Sequence, residues 1–323
     1  MARRVDIHAH IVDPVYTQEL CALLGLVAET TPEGQTLYRR DGATVAWTRE
    51  NWFDIPFRIS EMDRKGIDVR ALSLSTPNVY YWSGAAQIDV TRRINDTLAA
   101  LCRAYPDRYV GLASLPLDDV DASLAEIDRA VGELGMKGVI IGSNVNGVAL
   151  NDARYERLCA RIDALRLPVF EHPMFPKDTS DLREFELPLR VGLIFDTTLV
   201  ATRLIYSGIF ERYPNFPYIM AHTGGALLML LERLDNGYRL FPDCRKYISQ
   251  LPSIYAKRLY YDTTAFGTSA LKLALDTVGA DHLLLGTDDP YIDSDLTHVE
   301  RLNLEPAARD AVLGGNAARL LRI

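Results

Sequence analysis

The stretch "RRVDIHAHIVDP", residues 3–14, places His8 and His10 two apart behind a β-branched apolar run, in a chain with only six histidines. Side chains two apart on a strand share a face, so both imidazoles point the same way from the strand's end. Two neutral imidazoles side by side suit a divalent metal, and they also suit a hydrogen-bonded structural pair. Three further residues recur at ends of the same kind: His172 closes "PVFEH", His222 closes "PYIMAH" and Asp288 closes "HLLLGTD". Structural histidines have no reason to concentrate at strand ends, so the pattern favours an active site over isolated core pairs. His282 and His298 fall at a strand start and in a late helix or loop, and carry no assigned role.

The elements that must bring these residues together are short β-rich runs: "RRVDI", "VRALSLS", "YVGLASLPL", "KGVIIGS", "LPVFEH", "PYIMAH", "LYYDTT" and "HLLLGTD". Between them lie segments such as "AAQIDVTRRINDTLAALCRAY", "VDASLAEIDRAVGELG" and "NDARYERLCARIDALR", apolar every three or four positions and therefore helical. Eight strands alternating with helices predict a closed α/β barrel, the (β/α)8 or TIM barrel, whose strand C-termini converge on one face. An open doubly wound sheet would need a glycine-rich turn after its first strand, and "DIHAHIVDP" has none.

Residues 14–57 interrupt the rhythm after strand 1. Asp41-Gly42 between two alternating runs predicts a type I′ hairpin, and the insertion reads as a flap over the barrel mouth. A second interruption spans residues 237–258. No repeat or flexible linker divides the chain, so residues 1–323 read as one domain. A formal charge of −8 argues against a nucleic-acid partner. No run reaches the ~18 apolar residues of a membrane span and no signal-peptide core opens the chain, which points to the cytoplasm. The scattered Cys21, Cys102, Cys159 and Cys244 lack a CxxC pair and read as small core residues of a reducing compartment.

The motifs "DIHAH", "EHP", "AHTGG" and "GTDDP" resemble the metal-binding signatures of the amidohydrolase superfamily, and in particular its aminocarboxymuconate semialdehyde decarboxylase branch. "FRISEMDRKGIDV", "SGIFERYPNFP", "GGALLMLLERLDNGYR" and the closing "GGNAARLL" are similar to that branch as well, so the likeness runs from residue 5 to the C-terminus. It implies that His8, His10, His172 and Asp288 ligate one divalent metal, zinc first and manganese second, with no organic cofactor. His222 is then the unligated acid/base. Such a donor set lowers the pKa of a bound water towards about 7. Two-metal members use a carboxylated lysine at the end of strand 4, where this chain reads "IIGSNVN"; a single metal follows.

By the same resemblance, the reaction is non-oxidative decarboxylation of an unsaturated or aromatic carboxylic acid. A metal-dependent hydrolase or hydratase acting on a lactone, amide or carbon-carbon bond is the alternative on this scaffold. Arg233 matches a family arginine that enters the neighbouring subunit's site, implying a homodimer or larger assembly; otherwise it is a helix charge paired with Glu232 or Asp235. The family's second substrate arginine has no clear match: Arg49 is shifted, with Trp47 or Trp52 available to fill the space. Trp82, in "NVYYWSG", is a further aromatic candidate for a flat substrate ring, or core. Asp289 is expected to cap a following helix; "HTGGALLMLLERL" reads as a tight turn entering a helix, its glycines serving close backbone approach and also letting a substrate approach His222.

Overall fold

The structure is a computed structural model that describes residues 3–182 and 184–323. Eight parallel strands form one sheet in sequential order: β1 (Val5–Ile11), β2 (Val69–Leu74), β3 (Tyr109–Ala113), β4 (Gly138–Gly142), β5 (Val169–His172), β6 (Tyr218–Met220), β7 (Tyr260–Asp262) and β8 (Leu283–Leu284). The sheet closes on itself through a parallel bridge between Ala9 and Asp289 and through hydrogen bonds from Ile7 N to Leu285 O, His10 N to Asp289 O and Asp288 N to His8 O, at 2.7–2.8 Å. The predicted (β/α)8 barrel is therefore the observed one. Every residue of β1 is buried, as parallel strands covered on both faces require.

Two apolar clusters divide the core. Val5, Ile7, Val69, Ala71, Leu112, Ile140, Phe170 and Ile219 form the smaller one, which fills the barrel. The larger lies between strands and helices, with Leu72, Leu74, Ile94, Leu98, Ile127 and Ile162 among its members. In β1 the register slips: Asp6 pairs with Arg70 and Ala9 with Leu72, so Ile7 and His8 together oppose Ala71. This bulge changes which residues face inward. Val5 and Ile7 fill the barrel, and above them His8 and His10 face the same interior.

The helix Pro14–Leu24 begins the excursion, capped by Asp13 and closed by Gly25 at φ 61°. An antiparallel sheet follows, made of Val27–Thr30, Gln35–Arg40 and Ala43–Arg49. Asp41 and Gly42 link the last two strands with φ of 51° and 81°, the positive values a type I′ turn needs. Trp47 from this sheet packs against Trp52 at 4.5 Å and Tyr291 at 5.7 Å, and Tyr291 lies 5.6 Å from His10. The four cysteines are free and half-buried, at the margin of the core rather than inside it.

Candidate metal centre and active site

His172 is the last residue of β5, His222 follows β6 by two positions and Asp288 follows β8 by four. With His8 and His10 they meet at the C-terminal mouth, where barrel enzymes place their chemistry. His8, His10, His172 and Asp288 are all buried, and each offers one ligand atom within 4.8 Å of the others. Asp288 Oδ1 stands 3.2 Å from His8 Nε2 and 3.4 Å from His10 Nε2, and those two nitrogens are 3.1 Å apart.

The far nitrogens explain why the near ones converge. His8 Nδ1 meets Asp262 Oδ2 at 2.6 Å, His10 Nδ1 meets Ser73 Oγ at 3.1 Å, and His172 Nδ1 meets Thr76 Oγ1 at 3.1 Å. Proton-bearing Nδ1 atoms held this way leave the Nε2 lone pairs free, the arrangement that metal-ligating histidines require. Electrostatics fit the same donor set. Burial lowers the His10 pKa to about 4 and that of His172 well below its ordinary value, keeping both neutral. Burial also opposes a charge on His8, yet Asp288 and Asp262 together raise it to about 10. Burial pushes the Asp288 carboxyl up, but the surrounding imidazoles hold it well below the usual carboxylate range. The carboxylates thus favour a positive charge between them, which a divalent cation bound there would supply.

His222 stands outside that quartet. Its Nε2 is 3.6 Å from Asp288 Oδ2, and its Nδ1 is buried with no partner among the described residues. Its backbone is held at φ 52°, followed by Thr223 at φ 54°, while His222 N donates to Thr264 Oγ1 at 3.0 Å. Left-handed backbone at non-glycine residues is costly and gathers at functional sites; Asp288, at φ 57°, is a further instance.

Other expected residues separate from this centre. Arg49 turns its Nη1 to Glu33 O at 2.9 Å on an exposed side. Trp47 packs on Tyr291 at 5.7 Å, and Trp82 packs on Tyr16 at 5.6 Å. Arg233 is exposed and unpaired among the described residues. Glu232 pairs instead with Arg239 at 3.0 Å, and Asp235 accepts from Ser253 N and Oγ at 2.9 and 2.7 Å.

Asp289 does not cap a helix, because the next one starts at Thr297. Its carboxylate binds Arg58 Nη2 at 2.6 Å and lies 2.9 Å from Arg70 Nη1, and Arg58 Nη2 also donates to His10 O at 2.7 Å. Of the two roles expected of the "HTGG" glycines, close backbone approach is the one the structure shows: a Cβ on Gly224 would lie 2.7 Å from the Tyr261 ring, and one on Gly225 would lie 2.5 Å from Ile194 O. Packing against the chain itself, rather than room for substrate, requires them. Sequence reasoning missed Asp262, Ser73, Thr76 and Arg58. Asp262 alone carried a signal, an acid closing "LYYD" as the other site residues close their strands.

Fold and site together define a metal-binding (β/α)8-barrel enzyme. The amidohydrolase family model matches residues 5–323, and the chain belongs to this family. It is 29% identical over 287 residues to 2-amino-3-carboxymuconate-6-semialdehyde decarboxylase of Dictyostelium discoideum, covering 87% of this chain and 80% of that protein. Against gamma-resorcylate decarboxylase of a Polaromonas species, identity is 31% over 283 residues, covering 82% of this chain and 86% of the relative. Among solved structures, 5-carboxyvanillate decarboxylase from Sphingomonas paucimobilis has the same fold, with a TM-score of 0.86 at 24% identity and 100% of both chains covered. A Polaromonas dihydroxybenzoic acid decarboxylase with bound manganese and 2-nitroresorcinol gives a TM-score of 0.81 at 25% identity, covering 100% of this chain and 97% of that one.

Proposed function

We propose that this chain is a metal-dependent, non-oxidative decarboxylase of an unsaturated or aromatic carboxylic acid. The observation that carries the reading is the convergence of three imidazole nitrogens and the Asp288 carboxylate within 4.8 Å, with each far ring nitrogen engaged by the chain. His8, His10, His172 and Asp288 are the ligands of one divalent ion, zinc before manganese, and no organic cofactor takes part. When bound, the ion acts as a Lewis acid that polarises a substrate oxygen.

The remaining work falls to the chain. His222, beside the quartet and outside it, delivers a proton to the ring or alkene carbon that bears the carboxylate. A C–H bond forms there, the C–C bond breaks, its electrons return to the conjugated system and carbon dioxide departs. The unpartnered Nδ1 leaves its tautomer unfixed by the chain, which suits a proton carrier. Tyr291, Trp47 and Trp52 form an aromatic wall beside His10. A flat ring lies against such a wall favourably. Arg233, free of its own chain's carboxylates, reaches a second copy's site to meet the anionic substrate, so the working unit is a homodimer or a larger assembly. Residues 1–323 act as one cytoplasmic domain, with residues 14–57 as its flap; Trp47, packed on Tyr291, is its candidate substrate contact, whereas Arg49 and Trp82 face Glu33 and Tyr16 instead.

The test is metal analysis of purified protein, then incubation with hydroxybenzoic and muconate-type acids under carbon dioxide detection. Stoichiometric gas with bound metal is expected. Water addition or hydrolysis with no gas would overturn the reading in favour of a hydrolase or hydratase.

A further inference from the structure

Between the end of β1, the helix Pro14–Leu24 and the antiparallel sheet of the excursion lies a narrow cavity, walled by Ile11, Leu20, Cys21, Tyr38, Ala46 and Trp47. Two of its residues belong to the walls of the metal centre: Thr76, whose Oγ1 meets His172 Nδ1 at 3.1 Å, and Tyr291, 5.6 Å from His10. The cavity therefore opens beside the place where a substrate's ring would lie.

The hydroxyls of Tyr16, Thr17, Tyr38, Thr48 and Thr76 are already engaged. Tyr16 OH donates to Asn78 O at 2.6 Å, Tyr38 OH and Thr48 Oγ1 lie 3.2 Å apart, Thr17 Oγ1 donates to Asp13 O at 2.9 Å, and Thr76 Oγ1 donates to Pro173 O. Among the described residues the only charged one in the lining is Asp13, which accepts from Tyr16 N at 2.6 Å and faces Arg93 at 3.4 Å. Among the described residues no lysine or arginine lines the space. A ligand group entering it meets apolar surface and one negative charge.

Resting on the decarboxylase reading, we infer that this cavity is a subsite for a small apolar ring substituent. It makes the preferred substrate a monocarboxylic hydroxyaromatic acid carrying a short alkyl group, and it rejects dicarboxylic acids. A second carboxylate placed here would be buried without a cation and beside Asp13, whereas an alkyl group loses nothing. Size points the same way: the cavity volume is about 30 Å³, room for a short alkyl group and not for a second ring.

Carbon dioxide release is measured with 2-hydroxybenzoate, 2-hydroxy-6-methylbenzoate and 3-hydroxyphthalate, whose second carboxylate takes the place of the methyl group, and the binding of each to metal-loaded protein by titration calorimetry. The methylated acid is expected to exceed the unsubstituted one in kcat/KM by about tenfold, the scale of one methyl group in an apolar pocket. The dicarboxylate should fall at least ~10²-fold below. Ala46→Phe and Cys21→Phe each fill the cavity from a different element, and either should bring the methyl preference to parity or below. Equal or better turnover or binding of the dicarboxylate overturns the inference, as does an unchanged methyl preference in both folded variants. If no acid releases carbon dioxide while the calorimetric order holds, the decarboxylase reading fails and the subsite stands.

Discussion

Asp262→Asn isolates the part of the centre that orients its ligands. Asp262 Oδ1 accepts from Thr223 N at 2.8 Å and Thr264 N at 3.1 Å, while Oδ2 faces His8 Nδ1 at 2.6 Å and Thr264 Oγ1 at 2.8 Å. Two backbone donors oblige the amide oxygen of an asparagine to occupy the Oδ1 position. The NH2 group is then directed at His8 Nδ1, which must accept rather than donate. That change moves the ring proton to Nε2, the atom that faces His10 and Asp288, and blocks the lone pair a cation needs. Loss of an outer-shell partner ordinarily weakens metal affinity by 10- to 100-fold. Because this substitution also reverses the tautomer, the upper end is expected, about 100-fold or ~2.8 kcal/mol. The assay is chelator competition on metal-stripped protein, with near-ultraviolet circular dichroism as a check of packing. A dissociation constant within twofold of the parent, with packing retained, would refute the reasoning and leave His8 oriented by something other than Asp262.

His222→Asn should keep metal content and lower turnover by roughly 10² or more, the scale of general acid/base groups; a parental rate would remove it as the proton carrier. Stripping the metal with a chelator should abolish carbon dioxide release, and readdition of zinc or manganese should restore it, the metal giving the higher rate identifying the better fit. Mixing Arg233→Ala with His222→Asn should regenerate activity in mixed assemblies, and a mixture no better than its parts counts against sharing between subunits. Arg58→Met leaves Asp289 with Arg70 alone and His10 O without its Arg58 donor, so urea unfolding should show a loss of about 1–3 kcal/mol, the cost of a buried acceptor left unsatisfied; no measurable change would mean that Arg70 suffices.

The eight strands were legible because each is a short apolar run bounded by turn residues, and parallel burial leaves such runs little polar alternation to blur them. Asp41-Gly42 was legible for a local reason, the positive φ both turn positions need. What local pattern could not carry was parity and partnership. The bulge at Ile7-His8 depends on β2 lying alongside, so nothing within "VDIHAHI" announces that inward-facing residues change from odd to even numbers. Asp289 read as a helix cap because Asp-Asp-Pro favours one, yet Arg58 and Arg70, more than 200 residues away in the chain, claim its carboxylate. Asp262 and His8 meet across a separation of 254 residues, a contact that only barrel closure creates. The half-buried cysteines show the same limit, since composition does not say which side of a helix reaches the core.

The joint between β1 and β8 lies under the metal quartet, with His8 and His10 contributed from its first edge and Asp288 from just beyond its last. A cation gripped there is a rivet through the first and last strands of the barrel, and the full donor set does not exist until translation has passed Asp288. Metal uptake during synthesis would therefore report a finished cylinder, and a nascent chain halted before that residue would emerge with three imidazoles and no clasp.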